Sequence, residues 1–401
     1  MDPLVIVGLV VGLALFFDFT NGFHDTANAM ATPIATGALK PRTAVLIASV
    51  MNLVGALLST AVATMISVGM INDASALKPE VVFAGLTGAI LWNLTTWFLG
   101  LPSSSSHALF GGLIGAVVAA TGFGAVNFDS ILQKIIYPAL FAPVVAGLAA
   151  WLATRLAYAI TARSSDDDLA TGRGRFRIGQ IFSSSLVALA HGTNDAQKTM
   201  GVITLVLVAG GLQADGSHVQ LWVVLAAALA IALGTFSGGW RIIRTMGKGL
   251  SEVKPAQGLA AEVATAATIL ASSKLGFALS TTQVASGSII GSGLGRKGGK
   301  VRWNKAGQVV LGWVLTLPAA AIVGAISTAI VLTGSTGIIV DAIITVGVII
   351  AIFQISRRNA VTHKHVSSEL EDASEVVETK KQRKAAVKAA AKSSKGGKGK
   401  K

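Results

Sequence analysis

Apolar stretches long enough to cross a lipid bilayer recur along almost the whole of this 401-residue chain. A helix needs about 20 consecutive apolar residues to span the hydrocarbon core, and several runs reach that length. Charged residues make up only 13% of the sequence, against about 25% in a typical soluble protein. We therefore predict an all-α polytopic membrane protein. The first run, from residue 4, has no basic segment before it, so we interpret it as a span and not as a signal peptide.

Charge and cysteine content narrow the classes of function. The sequence has no cysteine, which excludes disulfides and thiolate catalysis. Residues 357–401 contain 13 Lys and Arg against 5 Asp and Glu, so this segment carries +8 of the net charge of +14. We interpret it as a disordered basic cytoplasmic tail that contacts anionic lipid, and we expect no nucleic-acid binding.

The loops between the apolar stretches differ in charge. Five segments are basic: 40–42, 155–177, 241–254, 296–305 and the tail. Four others are nearly neutral or acidic: 71–80, 121–130, 210–218 and 333–337. Cytoplasmic loops of membrane proteins carry an excess of Lys and Arg. The pattern predicts a multi-pass plasma-membrane protein with its N-terminus outside and its tail in the cytoplasm.

The same order of parts occurs twice with opposite predicted orientation. NGFHDTANAM (21–30) corresponds to HGTNDAQKTM (191–200), and LPSSSSHALFGG (101–112) corresponds to LSTTQVASGSIIGSG (279–293). The second pair forms the turns of segments 83–121 and 257–295, which either span the bilayer fully or are re-entrant. Inverted-topology repeats with broken helices are typical of secondary transporters, whose substrate site lies near the midplane.

This repeat predicts a division of the chain into five parts. They are a first transmembrane repeat (1–160), a basic cytoplasmic linker (161–177), a second, inverted transmembrane repeat (178–333), an additional transmembrane helix (334–356) and the tail (357–401).

Acidic groups in the first motif pair predict a site for a cation. Asp25 and Asn28 are neighbours on one helical face, and Gly22 before them permits a break in the helix. Two carboxylates, Asp25 and Asp195, brought together by the repeat would repel each other unless a proton or a metal cation lies between them. Carboxylate and amide oxygens suit Na⁺, whereas His24 can take a proton. The alternative is that these groups only form hydrogen bonds between helices.

Three other buried polar groups accompany this pair. Glu262 lies at membrane depth, and either a helix-packing or a cation-coupling role fits it. Asp18 and Asn52 are also expected to be buried, and we assign them no function.

Hydroxyl groups precede the helices of the second motif pair and predict a site for an anion. They belong to Ser104, Ser105, Ser106, Ser280, Thr281 and Thr282. Hydroxyls and free N–H groups at a helix N-terminus can bind an oxyanion, and both copies carry them. Lys198, which takes the place of Asn28 in the second copy, adds one cation. The alternative is a pair of helix caps with a face of small residues.

Taken in order, NGFHDTANA, LPSSSSHAL, HGTNDAQK and LSTTQ resemble the inorganic phosphate transporter (PiT) family over roughly residues 1–356. The family signature is roughly GANDxANA in each half. Here His24 replaces its first Asn, whereas Gln197 and Lys198 replace Ala and Asn in the second copy. Gln283 stands where relatives often have His.

The resemblance implies phosphate uptake coupled to a cation gradient, and a homodimer. It implies phosphate ligands among Asn28, Lys198 and the six hydroxyls, and cation coupling through His24, Asp25, Asn194, Asp195 and Glu262. Because Lys198 places a positive charge in one half-site, the chain is most similar to the bacterial low-affinity branch, which is associated with protons and neutral metal–phosphate complexes. The coupling ion stays open between a proton, a divalent metal and sodium. No cofactor is expected.

Other classes of function fit the residues less well. A hydrolase would need one nucleophile with a base and an orienting acid, whereas the serine run here has a counterpart in the repeat. A channel would need a continuous pore. Sulfate or another tetrahedral oxyanion is the closest alternative substrate, because hydroxyls and helix ends do not identify phosphorus.

Overall fold

The computed structural model describes residues 2–69, 78–160, 175–358, 360–363, 365 and 366. By its internal contacts the chain divides into residues 1–360 and a second unit that starts at Val361. Most of the predicted linker, most of the tail and residues 71–77 of the predicted outer loop 71–80 lie outside the described residues.

Regular structure in the described residues is helical, apart from isolated bridges such as the antiparallel one between Ser251 and Val301. The principal helices, in chain order, are α1 (Pro3–Ala35), α2 (Pro41–Ala56), α3 (Ala61–Gly69), α4 (Pro79–Leu99), α5 (Ser105–Thr121), α6 (Phe128–Ile160), α7 (Arg175–Ala209), α8 (Leu221–Ser237), α9 (Trp240–Gly249), α10 (Pro255–Lys274), α11 (Thr281–Gly295), α12 (Trp303–Val331) and α13 (Ser335–Arg358). The predicted all-α polytopic class is confirmed.

Five of these helices, α1, α4, α6, α12 and α13, are long and apolar enough to cross a membrane. The pair α8 and α9 adds a sixth if it is counted as one bent span. Side chains such as Leu148 on α6 and Val314 on α12 are exposed, with 62% and 66% of their surface accessible. The apolar surface of these helices suits contact with lipid, and the buried side chains of α4, α5 and α11 form the interior.

The helix break that Gly22 permits does not occur. α1 continues through it as one 33-residue helix, and α7 continues through the second motif as one 35-residue helix. A Cβ at Gly22 would lie 2.8 Å from the backbone nitrogen of Thr235 on α8. At Gly192 it would lie 2.6 Å from the Cα of Asn52 on α2. The two glycines therefore allow close helix packing and do not interrupt the helix.

The helix breaks lie elsewhere. The predicted single span 43–70 consists of α2 and α3, and α8 meets α9 at an angle of 60°. Gly100 ends α4 with a φ of +67°, and Gly276 follows α10 with a φ of +72°. Glycine adopts this left-handed conformation without a steric penalty. Both turns lead into the hydroxyl-rich segments, so that α5 and α11 begin inside the protein.

Candidate functional site

The site begins with two capped helix N-termini. The Ser104 hydroxyl accepts a hydrogen bond from the backbone N–H of His107 at 3.2 Å, and Ser280 accepts one from Gln283 at 3.3 Å. Serine is a preferred N-cap because its oxygen satisfies one of the free N–H groups of the first turn. The next two hydroxyls of each segment are also buried at the start of the helix: Ser105, Ser106, Thr281 and Thr282.

The two motif aspartates meet at the start of α11. The Thr281 hydroxyl lies 3.3 Å from an oxygen of Asp25 and 3.2 Å from an oxygen of Asp195. Thr282 donates to the other Asp25 oxygen at 3.2 Å. One hydroxyl has one hydrogen to donate, so Thr281 can satisfy only one of the two carboxylates at a time. The predicted approach of the aspartates from the two halves is therefore observed.

Asn28 and Lys198 occupy corresponding positions in the two motifs and contact different partners at this site. The Asn28 amide donates to the hydroxyls of Thr281 and Thr282 at 3.2 and 3.1 Å. The Lys198 ammonium lies 2.5 Å from an Asp195 oxygen, 2.5 Å from the Ser106 hydroxyl and 3.0 Å from the Leu279 carbonyl. Only 1% of Lys198 is exposed. A charge buried this deeply requires a partner of opposite charge and further hydrogen bonds.

Two histidines flank the aspartates. The His24 Nδ1 lies 2.6 Å from an Asp25 oxygen, and its Nε2 lies 3.3 Å from the Ser103 hydroxyl. Sequence reasoning missed His191, whose Nε2 lies 3.2 Å from Asp195 and 3.8 Å from Asp25. Its position four residues before Asp195 on the same helix was the signal that could have identified it. Asn52, which we assigned no function, contacts the other ring nitrogen of His191 at 3.0 Å.

Asp25, His191 and Asp195 form a group that could hold a metal ion. Each offers one ligand atom, and these atoms lie within 4.8 Å of one another. Two carboxylate oxygens and one imidazole nitrogen are a donor set for a divalent transition metal, whereas sodium is bound by oxygen ligands. The same three groups can also share a proton.

Several polar atoms of the site have no hydrogen-bond partner among the described residues: the Ser105 hydroxyl, the Asn28 carbonyl oxygen and the Asn194 carbonyl oxygen. The Asn194 amide nitrogen donates weakly, at 3.4 Å, to the Leu279 carbonyl. Buried polar groups are normally paired, so these atoms have capacity to contact a bound ligand.

Glu262 lies in a separate cluster between α1, α7 and α10. It accepts hydrogen bonds from Thr32 at 2.6 Å, from the Gln180 amide at 3.0 Å and from Ser183. Thr32 is seven residues, or two helical turns, beyond Asp25 on α1. Sequence reasoning grouped Glu262 with the aspartates, but the structure places its hydrogen-bonding partners elsewhere along α1 and α7.

The fold and this central polar site together define a polytopic membrane transport protein. The model of the phosphate transporter family (PHO4) matches residues 21–173 and 160–324. The chain belongs to this family, and it is a transporter and not an enzyme.

Curated relatives carry the same description. A protein of Mycobacterium leprae, named "Probable low-affinity inorganic phosphate transporter", is 52% identical over 375 residues, which cover 92% of this chain and 89% of the relative. A protein of Bacillus subtilis with the same name is 42% identical over 329 residues, or 82% of this chain and 98% of the relative.

A solved structure has the same fold. "The sodium-dependent phosphate transporter" superposes with a TM-score of 0.69 at 24% identity, and the match covers 81% of this chain and 98% of that one. At this identity the likeness supports the fold alone, and the sodium dependence in that protein's name is a property of that protein.

Proposed function

We propose that this protein imports inorganic phosphate by symport with a cation. Phosphate transport follows from family membership, and the mode of coupling is inferred from the site. The observation that carries the proposal is the meeting of Asp25 and Asp195 at the α11 N-terminus, with the Thr281 hydroxyl between them. An anion site and a cation site are thereby placed in contact.

Phosphate binds, on this proposal, to the hydroxyls and N–H groups at the starts of α5 and α11. Ser105, Ser106, Thr281 and Thr282 can donate to its oxygens, with Asn28 on one side and Lys198 on the other. Ser104 and Ser280, which we also predicted as ligands, contribute by capping these helices. Because three of these donors now contact Asp25 or Asp195, phosphate becomes a favourable partner when the carboxylates are neutralised.

A cation supplies that neutralisation. Moving one unit charge against a membrane potential of 100 mV costs about 2.3 kcal/mol, and a divalent phosphate costs about twice that. A proton or a divalent metal at Asp25, His191 and Asp195 would compensate this charge, with His24 holding Asp25 in place and Asn194 beside Asp195. We favour these two over sodium because an imidazole nitrogen completes the group and the Lys198 ammonium already occupies one oxygen of Asp195.

Glu262 provides a second acidic position for the cation. It lies two helical turns from Asp25 along α1 and receives three hydrogen bonds from uncharged side chains. We propose that the cation passes this cluster on its way to or from the central site. The molecule itself is proposed to be a homodimer in the plasma membrane, with its N-terminus outside and its tail in the cytoplasm.

The test is uptake of radiolabelled phosphate into proteoliposomes under separately imposed proton, sodium and divalent-metal gradients. We expect accumulation with a proton or metal gradient and little added effect of sodium. Strong stimulation by sodium alone would refute the coupling assignment and leave phosphate transport intact. Competition by sulfate in the same assay distinguishes a phosphate site from a general oxyanion site.

A further inference from the structure

An apolar groove lies on the lipid-facing side of the protein, and its inner end reaches the starts of α5 and α11. It has a volume of about 870 Å³ and lies between α6 and α12, with α11 between them. Its lining residues are apolar or glycine, except for His107 and Gln283. A soluble anion such as phosphate finds almost no polar partner there, whereas a hydrocarbon chain finds an apolar surface on three sides.

The groove opens toward the bilayer. Leu148 and Val314, on its two sides, are exposed and lie on helices that are long and apolar enough to cross the membrane. Glycines from α6 and α11, Gly147, Gly287 and Gly291, bring the two helices close together and line part of the groove. An acyl chain that enters this groove is held by protein on more sides than a chain that only covers a convex helix surface.

One end of the groove carries positive charge. Trp151, Arg155 and Tyr158 follow one another at helical spacing on α6, so they lie on one face. Trp151 lines the groove, and the Arg155 guanidinium lies 5.2 Å from its ring centre. Arg296 follows the lining residue Leu294 by two positions and is close enough to Tyr158 to interact with it electrostatically.

These two arginines have no carboxylate within ion-pair distance in the described part of the chain. The Tyr158 hydroxyl likewise has no hydrogen-bond partner there. Arginine donates in a fork that matches phosphate oxygens. Basic pockets at the cytoplasmic ends of membrane helices are a recurrent type of site for anionic headgroups.

We propose that this groove binds one anionic phospholipid, with an acyl chain in the groove and the headgroup phosphate on Arg155 and Arg296. The occupant is assigned from charge complementarity, because the apolar groove and the arginines at its end match the two parts of one lipid molecule.

The inner end of the groove connects this lipid with the central site. The Gln283 amide nitrogen lies 3.4 Å from the His107 Nδ1, across the starts of α5 and α11. Each residue directly follows a hydroxyl of the candidate phosphate site, Ser106 or Thr282. The acyl chain therefore contacts the first turns of both helices.

Quenching by brominated lipids tests this proposal in the full chain. Because the sequence has no cysteine, Val310→Cys places one bimane label at the edge of the groove, and Val145→Cys places one on lipid-exposed surface outside it. Each protein is reconstituted in phosphatidylcholine with brominated phosphatidylglycerol or brominated phosphatidylcholine. At Val310 we expect the anionic lipid to bind about 25-fold more tightly than phosphatidylcholine, or about fivefold for each of the two arginines. At Val145 we expect no preference.

The arginines account for this preference. Arg155→Gln and Arg296→Gln should each reduce it about fivefold, equivalent to about 1 kcal/mol per basic group. Lys305→Gln, an exposed basic residue at the start of α12, should leave it unchanged. Equal quenching by the two lipids at Val310 would overturn the proposal, even if neither arginine variant could be purified in folded form. Absence of quenching at Val310 by both lipids would overturn it as well, and would indicate that a second copy of the chain covers the groove.

Discussion

Lys198 is the residue that makes the two halves of the site unequal. Its ammonium bonds to Asp195, Ser106 and the Leu279 carbonyl, which are the kinds of oxygen that would otherwise bind a metal cation. Removing one partner of a buried ion pair costs about 3–5 kcal/mol because the other charge stays buried and unpaired.

Lys198→Asn should therefore make the stability of the protein depend on sodium, since Na⁺ can take the place of the ammonium beside Asp195. The measurement is the thermal unfolding temperature of the purified variant in sodium and in potassium salts, followed by phosphate uptake in both. Lys305→Asn, a change of an exposed lysine at the start of α12, is the control. A variant that is equally stable in both salts would show that Lys198 does not replace a cation.

The hydroxyls at the two helix starts allow a sharp test of the phosphate site. Ser105→Ala and Thr281→Ala should each weaken phosphate binding about 10- to 150-fold, because a hydrogen bond to a charged group contributes about 1.5–3 kcal/mol. The double variant should lose transport. Thr268→Ala removes a hydroxyl that bonds within its own helix and should bind phosphate normally. Normal binding by a folded double variant would leave these hydroxyls with a capping role only.

The two aspartates should control coupling, and Asp195→Asn should also lower stability because it leaves the buried Lys198 ammonium without its carboxylate. Asp25→Asn and Asp195→Asn keep the side-chain shape but remove the charge that a proton or metal neutralises. We expect gradient-driven phosphate accumulation to be lost in both. Asp341→Asn is the matched control, because Asp341 is a buried carboxyl on α13 that bonds to Ser327 at 2.8 Å, away from the four motifs. Accumulation that survives in both motif variants would contradict a coupling role.

Much of this site could be predicted because a repeated motif places equivalent residues in equivalent positions. The approach of Asp25 to Asp195 was predicted from that repetition, whereas the contact of both carboxylates with the Thr281 hydroxyl was not. His191 has no histidine at the matching place in the first motif, where Asn21 stands. The partners of Glu262 come from two other helices. Such contacts depend on how three helices pack, which the sequence of one helix does not determine.

At the scale of the helices, the sequence identified the apolar segments but not the role of their glycines. A glycine such as Gly22 in a polar motif can either break a helix or allow two helices to pack closely, and the sequence does not distinguish these two roles. The structure shows packing at Gly22 and true breaks at Gly100 and Gly276. The difference lies in the neighbouring helix, α8, whose backbone meets Gly22 but is far from it in sequence.

Two glycine substitutions should therefore have opposite effects on stability. A Cβ at Gly291 on α11 would lie 2.7 Å from the Cα of Gly147 on α6, whereas a Cβ at Gly307 on α12 meets no atom within 4 Å. Gly291→Ala should destabilise the protein by about 1–3 kcal/mol through overpacking. Gly307→Ala should stabilise it by up to about 1 kcal/mol through helix propensity. The measurement is the free energy of unfolding of the two variants in the same detergent. Equal values would show that the α6–α11 contact has room for a methyl group at Gly291.

At the scale of the whole molecule, the central site draws on both halves of the chain. α1 supplies Asp25 and Asn28, α7 supplies Asp195 and Lys198, and the starts of α5 and α11 supply the hydroxyls. Each half supplies only one of the two carboxylates, so the site forms only when both halves are folded together. The inverted orientation of the halves remains a prediction from loop charge.

Cysteine labelling from one side of the membrane tests that orientation. Ser217 lies exposed in the weakly charged segment 210–218, and Lys305 lies exposed at the end of the basic segment 296–305. Positive loops are retained in the cytoplasm, so a membrane-impermeant maleimide should label Ser217→Cys in intact cells and Lys305→Cys only after permeabilisation. The reverse result would invert the molecule in the membrane. Labelling of both positions from outside would rule out the inverted repeat, because an odd number of crossings must separate them.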